Sequence, residues 1–556
     1  MKDQSEMLDR RVPRGFRSIV PADQSRNSDA VPARARAPGR MTMTARFGIA
    51  ALLALIAAPA LADQLPPQIS GVAIPDGQID KAVASLDGIA EAIMSQSGIP
   101  GMAIAVVRDG RTVYAKRFGV RKIGEPGLVD GDTVFQVASL SKSLAGSVVA
   151  HEVGAGVVAW DTPVVAHLPW FALKDPWVTQ HVTIADLFSH RSGLPDHAGD
   201  TLEDFGFDRR GVLERLRLLP LNGFRDTYAY TNFGLTAAAE SVAAASGKSW
   251  EDLAEAVLYA PLGMTSTSSH FADFERRPDR AVGHVKVGNA YQPKYQRQPD
   301  AQSPAGGVSS SVNDLARWMT MILQNGEFAG KRIIAEDALL PAIRAEMISS
   351  PSYAADARPS FYGYGFGVGI TPAGRVSISH SGAFGLGAGT FYSLLPSAGV
   401  GIVILTNAAP TGAAESVGAA FMDVVQFGTV THDWLSLYGP VLTVLTALSA
   451  PEGDLVGKAQ PQHPAAPAKL ASYAGVYANA YFGEATVNAV GNHLELLIGP
   501  AARTYTLSHW DGAMFSMRPS SENQPDGSIS SVTFGANGEM KIGYLDQDGF
   551  GLFIRR

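Results

Sequence analysis

The 556-residue chain contains no cysteine, so it has no thiol nucleophile, no disulfide and no thiolate metal site. Charge is sparse, at 17% of residues, and positive charge is in deficit: beyond residue 62 the chain carries 35 basic and 47 acidic residues, a net charge of −12. A surface of that sign repels a phosphate backbone, which excludes nucleic acid as a partner. No group of histidines and carboxylates has the spacing of a metal site, so neither metal nor cofactor is expected. Long apolar runs are also scarce. Trp434 to Ala450 is apolar but interrupted by Gly439-Pro440, which reads as a helix on a domain surface and not as a membrane span. The other run lies in residues 41 to 62, MTMTARFGIAALLALIAAPALA. Arg46 leads it and Ala60-Leu61-Ala62 offers small residues for cleavage, the pattern of a secretory signal, so an exported and periplasmic protein is expected. Residues 1 to 40 carry Lys2 and eight Arg but few large apolar side chains. They read as an untranslated or disordered lead, with translation starting at Met41 or Met43.

What is present is ample core material: 46% of residues are hydrophobic, and 58 glycines provide for many turns. The length suits one large catalytic domain with a small appendage. Ile79 to Ser97 has amphipathic helical spacing. Gly101 to Val107 and Thr112 to Phe118 flank the turn Arg108-Asp109-Gly110-Arg111 and read as a β-hairpin. Helical, small-residue segments dominate from about 139 to 350, and strand character returns at Gly365 to Ile370, Arg375 to Ser379, Gly389 to Leu395 and Gly399 to Thr406. The expected fold is therefore α+β: one antiparallel sheet assembled from both ends of a domain spanning 75 to 425, with a helical insertion. A helical segment and a Pro- and Ala-rich linker follow over 426 to 469. Residues 470 to 556 alternate in short stretches such as Glu484 to Val490 and His493 to Ile498, the pattern of a small all-β barrel.

Three motifs carry chemistry. In Ser139-Leu140-Ser141-Lys142 a helix opening near Ser139 places Lys142 on the same face one turn later, within reach of the hydroxyl. Among small apolar residues that amine is desolvated, which lowers its pKa and suits it to act as a base. In Tyr230-Thr231-Asn232 a phenol is available to relay a proton, and an amide to bind a substrate carbonyl or orient the lysine. In His380-Ser381-Gly382-Ala383, after a strand-like segment, the edge can pair with an extended substrate, while the Ala383 and Ser139 N–H groups form an oxyanion hole. Each motif alone has an ordinary structural explanation. His190 and His197, flanking a Gly-Leu-Pro turn, read as structural, and Pro304 to Ser311 as a cleft lining or a cap for the helix Asn313 to Leu323.

In this order and spacing, Ile79 to Val425 resembles the serine β-lactamase superfamily, particularly its class C β-lactamase and D-Ala-D-Ala carboxypeptidase branch. The stretches Val182 to Pro195 and Pro304 to Ser311 are softer matches. The resemblance implies that Ser139 attacks an acyl carbon, that Lys142 and Tyr230 exchange its proton, and that Asn232, His380, Ser381, Gly382 and Ala383 position the substrate. Which of Lys142 and Tyr230 is the base stays open, because two coupled groups share the proton. His380 stands where β-lactamases of this branch usually carry lysine and looks more like the carboxypeptidases and D-specific peptidases. The implied activity is thus cleavage of a small-molecule or peptide amide, with a β-lactamase, a carboxylic esterase and a non-turnover penicillin-binding sensor as alternatives. The tail, opening with Tyr473-Ala474-Gly475-Val476-Tyr477, resembles the lipocalin-like domain appended to many such hydrolases.

Overall fold

Two consecutive residues with positive φ, Asp109 (49°) and Gly110 (76°), turn β1 (Gly101–Arg108) back onto β2 (Arg111–Gly119), the backbone geometry that matches strand twist in a tight hairpin. The computed structural model describes residues 72–445, 451–521, 524 and 526–556. The expected signal at 41 to 62 and the lead before it lie outside the described residues. The helix α1 (Gln78–Ser97) precedes the hairpin. After it come α2 (Ser141–Gly154), α3 (Asn232–Ser246) and α4 (Val312–Leu323), within a largely helical stretch. Six strands then follow: β3 (Met347–Ser350), β4 (Ser360–Tyr362), β5 (Gly367–Ile370), β6 (Val376–Phe384), β7 (Ala388–Leu395) and β8 (Val400–Thr406).

The sheet order β2-β1-β8-β7-β6-β5-β4-β3 is antiparallel throughout, so the first strands of the domain meet the last, as expected. Burial of β1 explains the layering. Met102, Ile104 and Val106 join one apolar cluster with Leu86 and Ala90 of α1 and Phe421 of α5 (Ala413–Phe427). Ala103, Ala105 and Val107 join the cluster under the helical lobe. Alternate residues point to opposite faces, so both faces of the sheet are covered. Each fully buried Leu, Ile, Val or Phe contributes roughly 1.5–3 kcal/mol. Helix α6 (Trp434–Leu445) lies against α5, with Trp434 Nε1 donating to Asp423 Oδ2 at 2.8 Å. Its Leu437 and Val441 are about half exposed. Among the described residues no helix is long and apolar enough to cross a membrane.

The C-terminal strands β9 (Gly475–Asn479), β10 (Gly483–Val490), β11 (His493–Ile498), β12 (Arg503–Asp511), β13 (Met514–Met517), β14 (Ser530–Phe534), β15 (Glu539–Ile542) and β16 (Leu552–Arg555) form a closed eight-stranded barrel. Alternation fills it: Leu494, Leu496 and Ile498 of β11 all point inward and are buried. Closure leaves no unpaired edge. The preceding stretch is bound to the barrel. Asp454 accepts from Ser531 N at 2.8 Å and Ser530 Oγ at 2.9 Å, and Gln460 Nε2 donates to the His509 and Trp510 carbonyls at 3.0 Å. Composition identified a Pro- and Ala-rich extended segment; side-chain hydrogen bonds fix it as a strap.

Candidate active site

Ser139 sits in a 3₁₀ turn, Ala138–Leu140, that runs directly into α2. Ala138 before it adopts φ 50°, a conformation unusual for a residue with a Cβ. The turn is locked by Ser141, whose Oγ donates to Ala138 O at 2.6 Å and accepts from Val308 N at 3.0 Å. Gly382 of β6 packs on the same turn: a Cβ there would stand 2.4 Å from Val137 O and 2.2 Å from Thr390 Oγ1. Only glycine lets the strand approach Ser139 this closely.

Lys142, one helical turn on, has no solvent exposure. Its Nζ lies 3.2 Å from Ser139 Oγ, 2.7 Å from Asn232 Oδ1 and 2.9 Å from Ala305 O, and 4.6 Å from the centre of the Tyr230 ring. Burial lowers its pKa from 10.5 to about 7, against the pull of the Asp200 carboxylate. Once neutral, the amine has two N–H donors for Asn232 and Ala305 and one lone pair, which faces the serine hydroxyl. On the opposite side Tyr230 Oη donates to Ser139 Oγ at 2.9 Å. Burial keeps that phenol protonated by raising its pKa. Asn232, at the start of α3, also donates through Nδ2 to Asp200 Oδ2 at 2.9 Å. The same oxygen lies 2.9 Å from His197 Nδ1, and this hydrogen bond raises the His197 pKa. Asp200 was not legible as a site residue: it opens a five-residue helix, Asp200–Asp204, 32 positions before Asn232.

His380 lies at the far end of the group. β5 pairs with β6 only as far as Ser379, whereas β7 pairs through Phe384, so one edge of His380 to Phe384 is open beside Ser139. The His380 ring is fully engaged: Nδ1 is 2.6 Å from Ser381 O and Nε2 is 2.8 Å from Tyr362 Oη. A carbonyl accepts only, so Nδ1 carries the proton, Nε2 accepts from Tyr362 and the imidazole is neutral. Burial, reinforced by Lys142, lowers its pKa to about 3. His190 is buried behind Tyr230 and Tyr362, with ring centroids 4.5 and 5.0 Å away. Its Nδ1 accepts from Thr231 N at 3.2 Å.

The side chain of Ser381 departs from expectation. Strand alternation directs it away from His380, and its hydroxyl bonds the buried Glu415 carboxylate of α5, leaving its carbonyl to orient His380. The structure thus brings Ser139, Lys142, Tyr230, Asn232, His380 and Gly382 together, with Ala383 on the open strand edge and the Ser381 hydroxyl turned to the other face. Pro304 to Ser311 both lines the group, through Ala305 O, and caps α4, through Ser311 Oγ accepting from Asp314 N at 3.3 Å.

Comparison with known proteins decides the family. The beta-lactamase family model matches residues 86–426, more than half of the chain. The chain belongs to the beta-lactamase family. A second match, to a domain of unknown function named DUF3471, covers residues 459–546. Unguisins hydrolase ungD' of Aspergillus campestris is 28% identical over 58% of this chain and 61% of its own length, so the chain spans less than two thirds of that relative. Penicillin-binding protein 4 of Amycolatopsis lactamdurans is 29% identical over 57% of this chain and 83% of its own. Esterase EstB of Burkholderia gladioli is 25% identical over 62% of this chain and 94% of its own. The octameric penicillin-binding protein homologue from Pyrococcus abyssi shares the fold at 18% identity, with a TM-score of 0.54 over 85% of this chain and all of that one.

Proposed function

We propose that the chain is an exported serine hydrolase that forms an acyl-enzyme at Ser139 and cleaves peptide or related amide bonds. The observation that carries this reading is the position of Ser139 Oγ between Lys142 Nζ at 3.2 Å and Tyr230 Oη at 2.9 Å. In this reading neutral Lys142 takes the hydroxyl proton as Oγ bonds to the acyl carbon, and the carbonyl π pair moves onto oxygen beside the Ser139 and Ala383 amides. The pair returns, the C–N bond breaks, and the leaving nitrogen receives a proton along the Lys142 and Tyr230 path. Water then reverses the sequence to free the acid.

Neutral His380 favours a second reading within the same chemistry. A substrate carboxylate held beside it would find no cation, so the site suits internal amides and carboxylic esters better than a bond next to a free C-terminus. The relatives named as a carboxypeptidase/endopeptidase, an esterase and an unguisins hydrolase are consistent with one acylation apparatus serving different leaving groups. The test is intact-mass detection of acylation with D- and L-peptides, penicillins and short-chain esters, on the native protein and on Ser139→Ala. A mass increase mapped to Ser139, followed by turnover, is expected. Labelling that persists in Ser139→Ala sinks the assignment, and a stable adduct without turnover makes the protein a sensor.

A further inference from the structure

The barrel meets the helical lobe at several places, among them Ser521 Oγ on Asp204 at 2.9 Å and Asp526 on Lys294 at 3.2 Å, and two of its loops hold the segment Gly199 to Phe207. In the first loop Asn479 Oδ1 accepts from the backbone N–H groups of Tyr481 and Phe482 at 2.7 and 2.9 Å, fixing a turn that presents both rings. The Tyr481 hydroxyl accepts from the Gly199 N–H, its carbonyl accepts from Arg215 Nε at 3.0 Å, and Phe482 meets Phe205 edge-on with centroids 5.8 Å apart. In the second loop Ala501 N donates to Phe205 O at 3.1 Å. Gly499 lies so close that a Cβ would stand 2.5 Å from Phe205 O. From the other side Gly199 is confined by α3, where a Cβ would stand 3.1 Å from Phe233. The next residue is Asp200, whose carboxylate holds Asn232 and raises the proton affinity of Lys142.

We infer that the barrel is a positioning element of the active site: its loops Asn479–Gly483 and Gly499–Ala502 clamp Gly199 to Phe207, so that Asp200 stays on the Asn232 amide and beside Lys142. Tyr481 and Asp200 are positioning residues in this scheme. The inference rests on the proposed acyl-enzyme reading. Its physical basis is that so short a helix takes its place from its neighbours, with Leu202 in the core and Glu203 on Arg297 at one side and the barrel loops at the other, and a displaced carboxylate would leave Lys142 with burial alone. Asn232 would lose the partner that sets its amide orientation, and with it the aim of the Lys142 lone pair.

The experiment measures the pH dependence of Ser139 acylation by p-nitrophenyl acetate, in the full chain, for native protein, Asp200→Asn, Tyr481→Ala and Tyr481→Phe. Asp200→Asn is expected to move the acid limb of the profile to lower pH, because the charge that holds the proton on Lys142 is gone, and to slow acylation about tenfold or more. Tyr481→Ala is expected to move the limb in the same direction by less. Tyr481→Phe, which keeps the ring, is expected to recover most of the native profile. Should Tyr481→Ala fail to fold, Phe482→Leu thins the same contact and serves in its place. A barrel-loop variant whose limb superimposes on the native one, whatever its melting temperature, overturns the inference. Absence of Ser139 acylation in the native protein would instead overturn the proposed function.

Discussion

The two ends of the candidate cleft each hold a titratable nitrogen away from water, Lys142 wholly and His380 in part, and treat it differently. At one end Lys142 has the Asp200 carboxylate behind its Asn232 partner, and its pKa settles at about 7. At the other, His380 faces a phenol and a carbonyl, has a cation as its charged neighbour, and is held neutral down to about 3. Burial penalises both cations alike. Both are lowered by a similar amount, from 10.5 and 6.5, so the gap between the ends is mainly that between an ordinary amine and an ordinary imidazole, and it makes one end a proton acceptor near neutrality and the other a fixed, uncharged wall. Tyr362 strengthens that wall: burial raises its pKa well above 10, so it remains a donor to His380 at any ordinary pH.

The largest effects test the first end. Lys142→Ala and Tyr230→Phe are each expected to slow Ser139 acylation by roughly two to four orders of magnitude, the range for losing a proton-transfer partner. The double variant should fall far short of the product, since both contact one oxygen. Stopped-flow acylation of the four proteins decides it, and native rates in Tyr230→Phe would reduce the tyrosine to packing. Gly382→Ala comes next, with a loss of about tenfold to a hundredfold. The added methyl meets Val137 O and Thr390 Oγ1 and separates the strand edge from Ser139, and a displacement of that size is costly to a reacting pair. Retained rates would place the open edge of β6 outside the reaction.

The pH profile sharpens the same end. In the proposed mechanism Lys142 takes the proton only when unprotonated, so acylation should be low below its pKa, rise as pH passes through about 7 and then level off. Tyr230 stays protonated across that range because burial raises its pKa. An acid limb centred near the usual lysine value of 10.5 would show that the amine is not desolvated in solution.

These contrasts also mark what the sequence disclosed. Ser139 and Lys142 are three residues apart, so local helix geometry brings them together, whereas Tyr230 and Asn232 reach them from 91 and 90 positions away and were legible only through the resemblance carried by the motif order. The sheet built from both ends of its domain was legible from where strand-like segments fall. Tyr362 and Asp200 were not, because each acts through a partner distant in sequence and sits in an irregular or very short element. The strands β3 and β4, at the sheet edge, are too brief and polar to show a period. The direction of Ser381 was recoverable in principle: adjacent residues of a strand face opposite sides, so His380 and Ser381 cannot both point into one cleft.

The smallest expected effect tests the second end and the substrate class together. Two ester-linked probes of one sequence, one ending in a free carboxylate and the other in a primary amide, differ only in the charge they would bring toward His380. A cation there would make the carboxylate the better substrate. A neutral imidazole, with Nδ1–H committed to Ser381 O and Nε2 accepting from Tyr362, offers that charge neither a counter-ion nor a spare proton. Leaving a charged acceptor partly desolvated and unmatched costs about 1–3 kcal/mol, so the amide probe should acylate faster by roughly tenfold. The preference should persist at pH 5, since His380 does not ionise above about 3, whereas an ordinary histidine would gain charge there and reverse it. A carboxylate probe that outpaces the amide, increasingly as pH falls from 7 to 5, would show that His380 takes up a proton in the complex, and would return the reading to a carboxypeptidase.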